Sequence, residues 1–569
     1  MQEQEQIEKE QRKNLILFFA ISILIMVGYT HFFGNSGSEN QTVMQEKTIS
    51  ADENLNSLRN GNNVAPIIKP IQHEVKNITI DAPRISGNLS SKGIKFHDVV
   101  LKNYTTQYDN DVLVSVCKDM ECFAEQSWRA SDKSVILPDE TSCWHVDHTE
   151  LTPNSPVTLT WDNGAGLLFK KIIQVDDNFV FTITDKVKNY GNESRQLQSV
   201  SKVCKTTKQI PESLGFFNGP IGYFNKQLRE IEYKDIEDKK EIEYSSEGGW
   251  FGISEKYWLV AFIPEQNSSY DVYYSCAKNQ DSTSYIVQSA DKPFELSPSA
   301  EYSVTHRLFI GAKEIKTLDK YEEILNIPHF DLVIDFGRLY ILTKPLLYAV
   351  SYAKDFVGNM GFGILLITLL LKILLFPLAN KSYRSMNKMK ALQPKMKALQ
   401  EKYANDRARL GTAVSELYRK EKINPIGGCL PMFLQWPILF ALYKVLYISI
   451  EMRQAPFIGW IHDLSIADPW SVLTFGGLIP VSLPTFLQIG IWPLLMGFSM
   501  WIQQKMSPAP ADPSQAKMML MMPIIFTFMF AQLPSGLVIY WTFSNLLAIA
   551  QQYIIQKSDE NNKEKSERK

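Results

Sequence analysis

One lysine inside an apolar run is the residue of this chain best placed to do chemistry. Lys372 lies within GFGILLITLLLKILLFPL, Gly361 to Leu378. At about 1.5 Å of rise per residue, a helix of that length nearly crosses a hydrocarbon core of about 30 Å. A charge at that depth costs at least about 2.5–3.5 kcal/mol, so such residues usually face a bundle interior or a watery cavity. The alternative is snorkelling of the flexible stem to the interface. Lys381, the next basic residue, is roughly 13 Å further along the axis, beyond the reach of one stem unless the helix tilts or the bilayer thins.

Other polar groups fall in later apolar stretches: Gln435, Gln532, Ser544 and Asn545. Gln532, Ser544 and Asn545, in the last hairpin, either face the same cavity as Lys372 or hydrogen-bond between helices. HExxH, GxSxG, a P-loop and paired core carboxylates are all absent, which argues against an enzyme and against nucleotide use. His145 and His148 in HVDH lack further ligands at metal spacing, so no metal and no cofactor is expected. The apolar spans of the core carry no Asp or Glu, which speaks against a proton-coupled solute transporter with a midplane site at Lys372. Such a transporter is the alternative from another functional class.

The elements around these residues divide the 569-residue chain by composition. Residues 1–33 hold a short cytoplasmic tail and an apolar span from Leu15 to Phe33. Arg12 and Lys13 precede it and no small-x-small site follows, so an uncleaved anchor with its N-terminus inside is expected. Residues 34–80 lack aromatic side chains and read as a flexible linker. From 81 to 330 a two-residue period dominates: Val157, Leu159 and Trp161; Phe179, Phe181 and Ile183; Tyr270, Val272 and Tyr274; Tyr302, Val304, Leu308 and Ile310. Half-buried strands of this kind predict a large antiparallel β sandwich. Five of the six cysteines, Cys117, Cys122, Cys143, Cys204 and Cys276, lie in this part, and their spacing fixes no pairing.

Residues 331–350 predict an amphipathic helix lying on the membrane face, interrupted at Pro345. Spans are expected at 357–379, 429–450, 487–503, 518–532 and 535–556. An outer segment at 451–486, an inner loop at 504–517 and an inner tail at 557–569 complete the chain. The segment 380–424 fixes the orientation, because it carries twelve basic residues against four acidic ones and is therefore cytoplasmic. Apolar residues recur there at three- and four-residue steps on both sides of ANDR, predicting a hairpin of two helices. Arg384, Lys388, Lys390, Lys395, Arg407 and Arg409 stud it. Such a face holds anionic lipid headgroups or a ribosome-associated partner, or is only a solvated surface obeying the topology rule.

Several runs, taken together and in order, resemble the YidC membrane-protein insertases, the bacterial branch of the Oxa/Alb/YidC group. They are VGNMGFGILLITLLLK, SMNKMKALQPKMKALQEKY, NPIGGCLPMFLQWPI, RQAPFIGWIHDLS, IQQKMSP, MPIIFTF and LPSGLVIYWTFSNL, with GGWFGISEKYWLVAFIP in the outer part. The resemblance implies a membrane α-helical bundle of six transmembrane helices, five forming the core, plus a large periplasmic antiparallel β supersandwich. It implies a bacterial inner-membrane protein that inserts nascent membrane proteins, alone or with the Sec translocon, beside ribosome and signal-recognition machinery, and without sequence-specific nucleic-acid binding. It further implies a hydrophilic groove, open to cytoplasm and lipid and closed outward. Lys372 stands where the family usually has an arginine, Thr368 is one turn earlier on the same face, Gln435 matches a polar position of the next helix, and Tyr540 falls on the side that resembles a substrate contact. Lysine keeps the charge but loses the planar fork.

Overall fold

The computed structural model describes residues 73–107, 111–210, 216–279, 281–403, 406–421, 426–474, 476, 488–507 and 513–567. The expected anchor at 1–33 and the linker as far as residue 72 lie outside the described residues. The chain divides into two compact units at Arg338 and Leu339.

Among the described residues, the first unit contains a nine-stranded, a six-stranded and a five-stranded sheet. The two-residue period explains the strands directly. In Val157–Asp162, Val157, Leu159 and Trp161 are buried while Thr158 and Thr160 are half-buried. Neighbouring strands run antiparallel, except that Asn77–Asp81 lies parallel to Glu150–Leu151. The alternation fails at the end of Glu301–Ala312, where Leu308, Phe309 and Ile310 are all fully buried. Helix α1 (Tyr233–Lys239) packs elsewhere in the unit; helix α2 (Ile315–Leu325) and the 3-10 turn Phe330–Val333 supply the extra cover. The Phe309 ring lies 6.0 Å from Tyr321 and 5.5 Å from Phe330.

Two polar clusters stiffen this unit. Arg84 meets Glu314 through both of its terminal nitrogens, Tyr104 and Thr317 add hydrogen bonds to the same carboxylate, and the guanidinium stacks 4.4 Å from the Phe179 ring centre. Deeper in the sandwich, Lys171 pairs with Asp185 at 2.6 Å, both almost fully buried. There, too, His306 lies 2.5 Å from Gln126 and 3.2 Å from Asp291. Breaking such a buried pair from one side costs about 3–5 kcal/mol, because the remaining charge has nowhere to go. Cys117 and Cys122 form a disulfide; Cys143, Cys204 and Cys276 are free thiols.

The second unit is helical: α3 (Tyr340–Val357), α4 (Met360–Leu374), α5 (Phe376–Ala391), α6 (Gln393–Lys402), α7 (Arg407–Lys420), α8 (Ile426–Ile448), α9 (Ile491–Met506), α10 (Pro513–Phe530) and α11 (Ser535–Glu567). Among the described residues no single helix is long and apolar enough to cross a membrane; α3 and α4 pass together, bent by 119° between them. The bend has a local cause. Gly358 ends α3 in the left-handed conformation, and the Asn359 side chain accepts from the Phe362 N–H at 3.1 Å to start α4.

Several boundaries differ from expectation, beginning with the linker expected as far as residue 80, since the strand Asn77–Asp81 already forms there. The helix expected over 331–350 starts only at Tyr340, since Phe330–Val333 forms a 3-10 turn whose Phe330, Asp331 and Val333 are buried in the first unit, and Asp335 accepts from the Phe217 N–H at 2.8 Å. Pro345 sits inside α3 and does not interrupt it. The apolar run expected as one span at 357–379 is divided between α4 and α5, which meet at Leu375 ahead of Pro377. The basic segment likewise forms three helical pieces instead of two, with Pro394 at the α5–α6 junction. α7 folds back on α6, where Tyr418 donates to Met396 Sδ at 3.4 Å and Lys395 pairs with Glu421 at 2.7 Å.

Candidate functional site

Helix α4 presents one face to a cleft in the helical unit. Thr368, Leu371 and Lys372 line it from α4, Leu375 from the C-cap that follows, Ile438 from α8 and Tyr540 from α11, around about 280 Å³ of space counting the open mouth. These first four positions step by three, one and three residues, a single helical stripe that runs from α4 into its C-cap. Lys372 is the charged side chain among these lining residues, and it is half-buried.

The polar neighbours are fixed by their own helices. Thr368 is 2% exposed and donates to the Ile364 carbonyl at 2.7 Å. This back-bond satisfies the hydroxyl and leaves the threonine methyl and oxygen as a small, mildly polar wall. Tyr540 is 3% exposed, its ring buried between helices. The opposite side of α4 is apolar and open: Leu370, Ile373 and Leu374 are 52%, 60% and 75% exposed. A large exposed apolar surface rimmed by polar groups marks an interaction site, with protein or with membrane.

The other expected residues fall in different places. Ser544 and Asn545 are buried, but Asn545 donates to Ser499 of α9 at 3.0 Å, so it joins two helices and does not line the cleft. Gln532 is exposed in the turn before α11. Gln435 lies on α8, three residues before Ile438 and so on nearly the same face, but its side chain is outside the described residues. Leu371, Leu375 and Ile438 were not singled out from sequence; the i, i+3, i+4, i+7 spacing from Thr368 would have found the first two.

Of the basic residues in the hairpin, Arg384, Lys388, Lys395 and Arg409 are exposed and Lys390 is half-buried. The Arg407 side chain is outside the described residues. Asp559, on the far extension of α11, lies 3.8 Å from Arg384 and accepts from Asn387 at 3.1 Å, which ties α5 to α11. The residues with metal-ligand chemistry among those described, Glu322, His329 and Asp331, belong to the strand unit, their ligand atoms within 4.8 Å of one another.

Two family models match the chain: 60Kd inner membrane protein over residues 352–564, and YidC periplasmic domain over residues 77–349. The membrane protein insertase YidC of Rickettsia bellii is 41% identical over 554 residues, covering 96% of this chain and 99% of that protein. Its counterpart in Rickettsia africae is 40% identical over the same lengths. Among solved structures, an active YidC insertase crystallised with its first transmembrane domain resolved aligns with 94% of this chain and 98% of that one, at 17% identity and a TM-score of 0.36.

Proposed function

This chain belongs to the YidC membrane protein insertases, non-enzymatic inner-membrane proteins with a periplasmic domain, and from that membership we propose that substrate tails pass through the cleft around Lys372. A nascent membrane protein places its short polar tail in the cleft while its apolar segment slides along the exposed leucine and isoleucine side of α4. The tail thereby avoids bare hydrocarbon. Partitioning of the apolar segment supplies the driving energy, about −0.3 to −0.6 kcal/mol per central Leu, Ile, Phe or Val.

Lys372 supplies the attraction. Its ammonium is a point charge on a flexible stem, so it draws an acidic tail without the bidentate geometry an arginine would impose. Thr368 and Tyr540 shape the cleft beside it, and Gln435 adds a polar group from α8. In this reading six helices span the membrane, both termini are cytoplasmic, and the basic hairpin of α5 to α7 receives ribosomes, signal-recognition machinery or anionic lipid. The Sec translocon is a partner for larger substrates.

The observation that carries the reading is the two-sidedness of α4, with Lys372 and Thr368 toward a cleft and Leu370, Ile373 and Leu374 open. Insertion of an acidic-tailed substrate into vesicles containing K372R, K372A or K372E tests it. Efficiency is expected to hold in K372R, to fall in K372A and to fall further in K372E, with a basic-tailed substrate gaining in K372E. Normal insertion of the acidic-tailed substrate by both K372A and K372E would overturn it.

A further inference from the structure

The segment from Glu451 to Val472 has almost no regular structure, yet three helices begin against it. The first N–H groups of a helix have no partner within the helix, and leaving them bare in an apolar setting costs several kcal/mol each. This segment supplies or anchors partners for all three starts. At α4, Asn359 caps the helix with its oxygen and donates its amide to the carbonyls of Pro456 and Phe457, at 3.1 and 3.3 Å. At α11, the N–H groups of Ser535 and Gly536 donate to the carbonyls of Ile466 and Leu464, at 2.6 and 3.0 Å, and the Ser535 hydroxyl donates to the Asp463 carbonyl.

The third start depends on a side chain. Asp468, 8% exposed, accepts through Oδ2 from the Trp492 N–H in the first turn of α9 at 2.9 Å. Through Oδ1 it accepts from the Trp460 indole at 2.8 Å and from the Trp470 N–H at 3.1 Å. One carboxylate therefore binds three donors from three places in the chain, and its negative charge faces the positive end of a helix dipole. Gly490 is part of the fit, because an added Cβ would sit 2.5 Å from the Asp468 carboxylate. Phe457 bridges the starts of α4 and α9, with ring centres 5.3 Å from Phe362 and 5.9 Å from Trp492.

Two of the helices gathered here carry the cleft. Thr368 lies about 12 Å along α4 from its start, and Tyr540 about 8 Å along α11 from its start. The clasp thus sits at one end of the cleft and sets the register of its walls. We propose that Asp468 is a positioning residue for insertion: its three-way clasp shuts the outer end of the cleft and holds α4, α9 and α11 in register. This rests on the proposed reading of the cleft as a groove closed outward.

The test uses the full chain in spheroplasts with Leu371→Cys as reporter and a membrane-impermeant maleimide added outside, labelling being read on the peptide that carries residue 371. With Asp468 intact the reporter stays unlabelled. D468A is expected to raise outside labelling at least about tenfold, as loss of charge-assisted hydrogen bonds implies. D468N, with one acceptor oxygen left, is expected between the two, and W460F, which removes one donor, gives a smaller rise. N545A, which destabilises the helical unit away from the clasp, is the control and is expected to leave labelling at the level of intact Asp468.

Should D468A fail to accumulate, D468N and W460F decide. Unchanged labelling in every variant that accumulates overturns the proposal. The groove reading fails separately, if insertion with Asp468 intact proves indifferent to the charge at Lys372.

Discussion

Replacing Gly361 with alanine adds one methyl at the tight contact between the start of α4 and Phe457. The new Cβ would sit 2.1 Å from Phe457 Cδ2 and 2.6 Å from Cγ. Carbon atoms prefer about 3.5–4.0 Å, so the ring must withdraw by about 1.5 Å. It is poorly placed to do so: the Phe457 N–H donates to Ile461, its carbonyl accepts from Asn359, and its ring is held between Phe362 and Trp492. Overpacking of this kind costs about 1–3 kcal/mol. Phe457→Ala alone costs about 3–5 kcal/mol through the cavity it leaves. In that background the clash is gone, and alanine is the better helix former by about 0.8–1 kcal/mol, so G361A should become neutral or slightly stabilising. Denaturation of the four purified full-length proteins in detergent, followed by tryptophan emission, gives the cycle. A coupling of about 1–3 kcal/mol is expected. Additivity within about 0.5 kcal/mol would refute the contact and the α4 register drawn from it.

Other expectations are more local. Asn545→Ala removes its hydrogen bond to Ser499 and should lower stability by only about 0.6 kcal/mol, at most about 1.7, with insertion intact; a strong insertion defect at unchanged stability would return Asn545 to the cleft. Glu314 carries a pH dependence. Burial alone would raise its carboxyl, but hydrogen bonds from Arg84, Tyr104 and Thr317 outweigh burial and hold it below the ordinary glutamate value. Its stabilisation should be complete above about pH 4.3, the unfolded value, and disappear as pH falls through the lowered folded value. E314Q should lose stability at neutral pH and flatten the acid limb, as melting of the full chain across pH 3 to 7 reads. Neutralising Arg384, Lys388, Lys395 and Arg409 should weaken cosedimentation with anionic vesicles or ribosomes by about 1 kcal/mol per residue at low salt, with a shallower salt dependence. Unchanged binding would leave these residues as topology determinants only.

What sequence made legible follows from where each constraint originates. Strands such as Val157–Asp162 were readable because one buried face writes itself into a two-residue period. The buried run Leu308, Phe309 and Ile310 was not, since the cover over its second face comes from Tyr321 and Phe330 further along the chain. Lys372 stood out because a charge in an apolar run is costly. Leu371 and Leu375 did not, being the same residue type as the open Leu370 and Leu374 and distinguished only by helical phase. Whether Asn545 faced water or another helix depended on Ser499, which no local pattern reveals. The break before α4 was written in Gly358 and Asn359, a C-terminal glycine followed by an N-cap, but the apolar run around it outweighed those signals. Asp468 lies in a proline- and aromatic-rich segment without periodicity, so its three donors became visible only in the fold.

The most direct test of the account is site-specific photocrosslinking from Thr368, Gln435 and Tyr540 to ribosome-bound nascent membrane proteins. Adducts are expected from all three positions with the substrate's polar tail, and from the open side at Leu370 and Ile373 with its apolar segment. Absence of adducts from all three cleft positions to any translating membrane protein would contradict it.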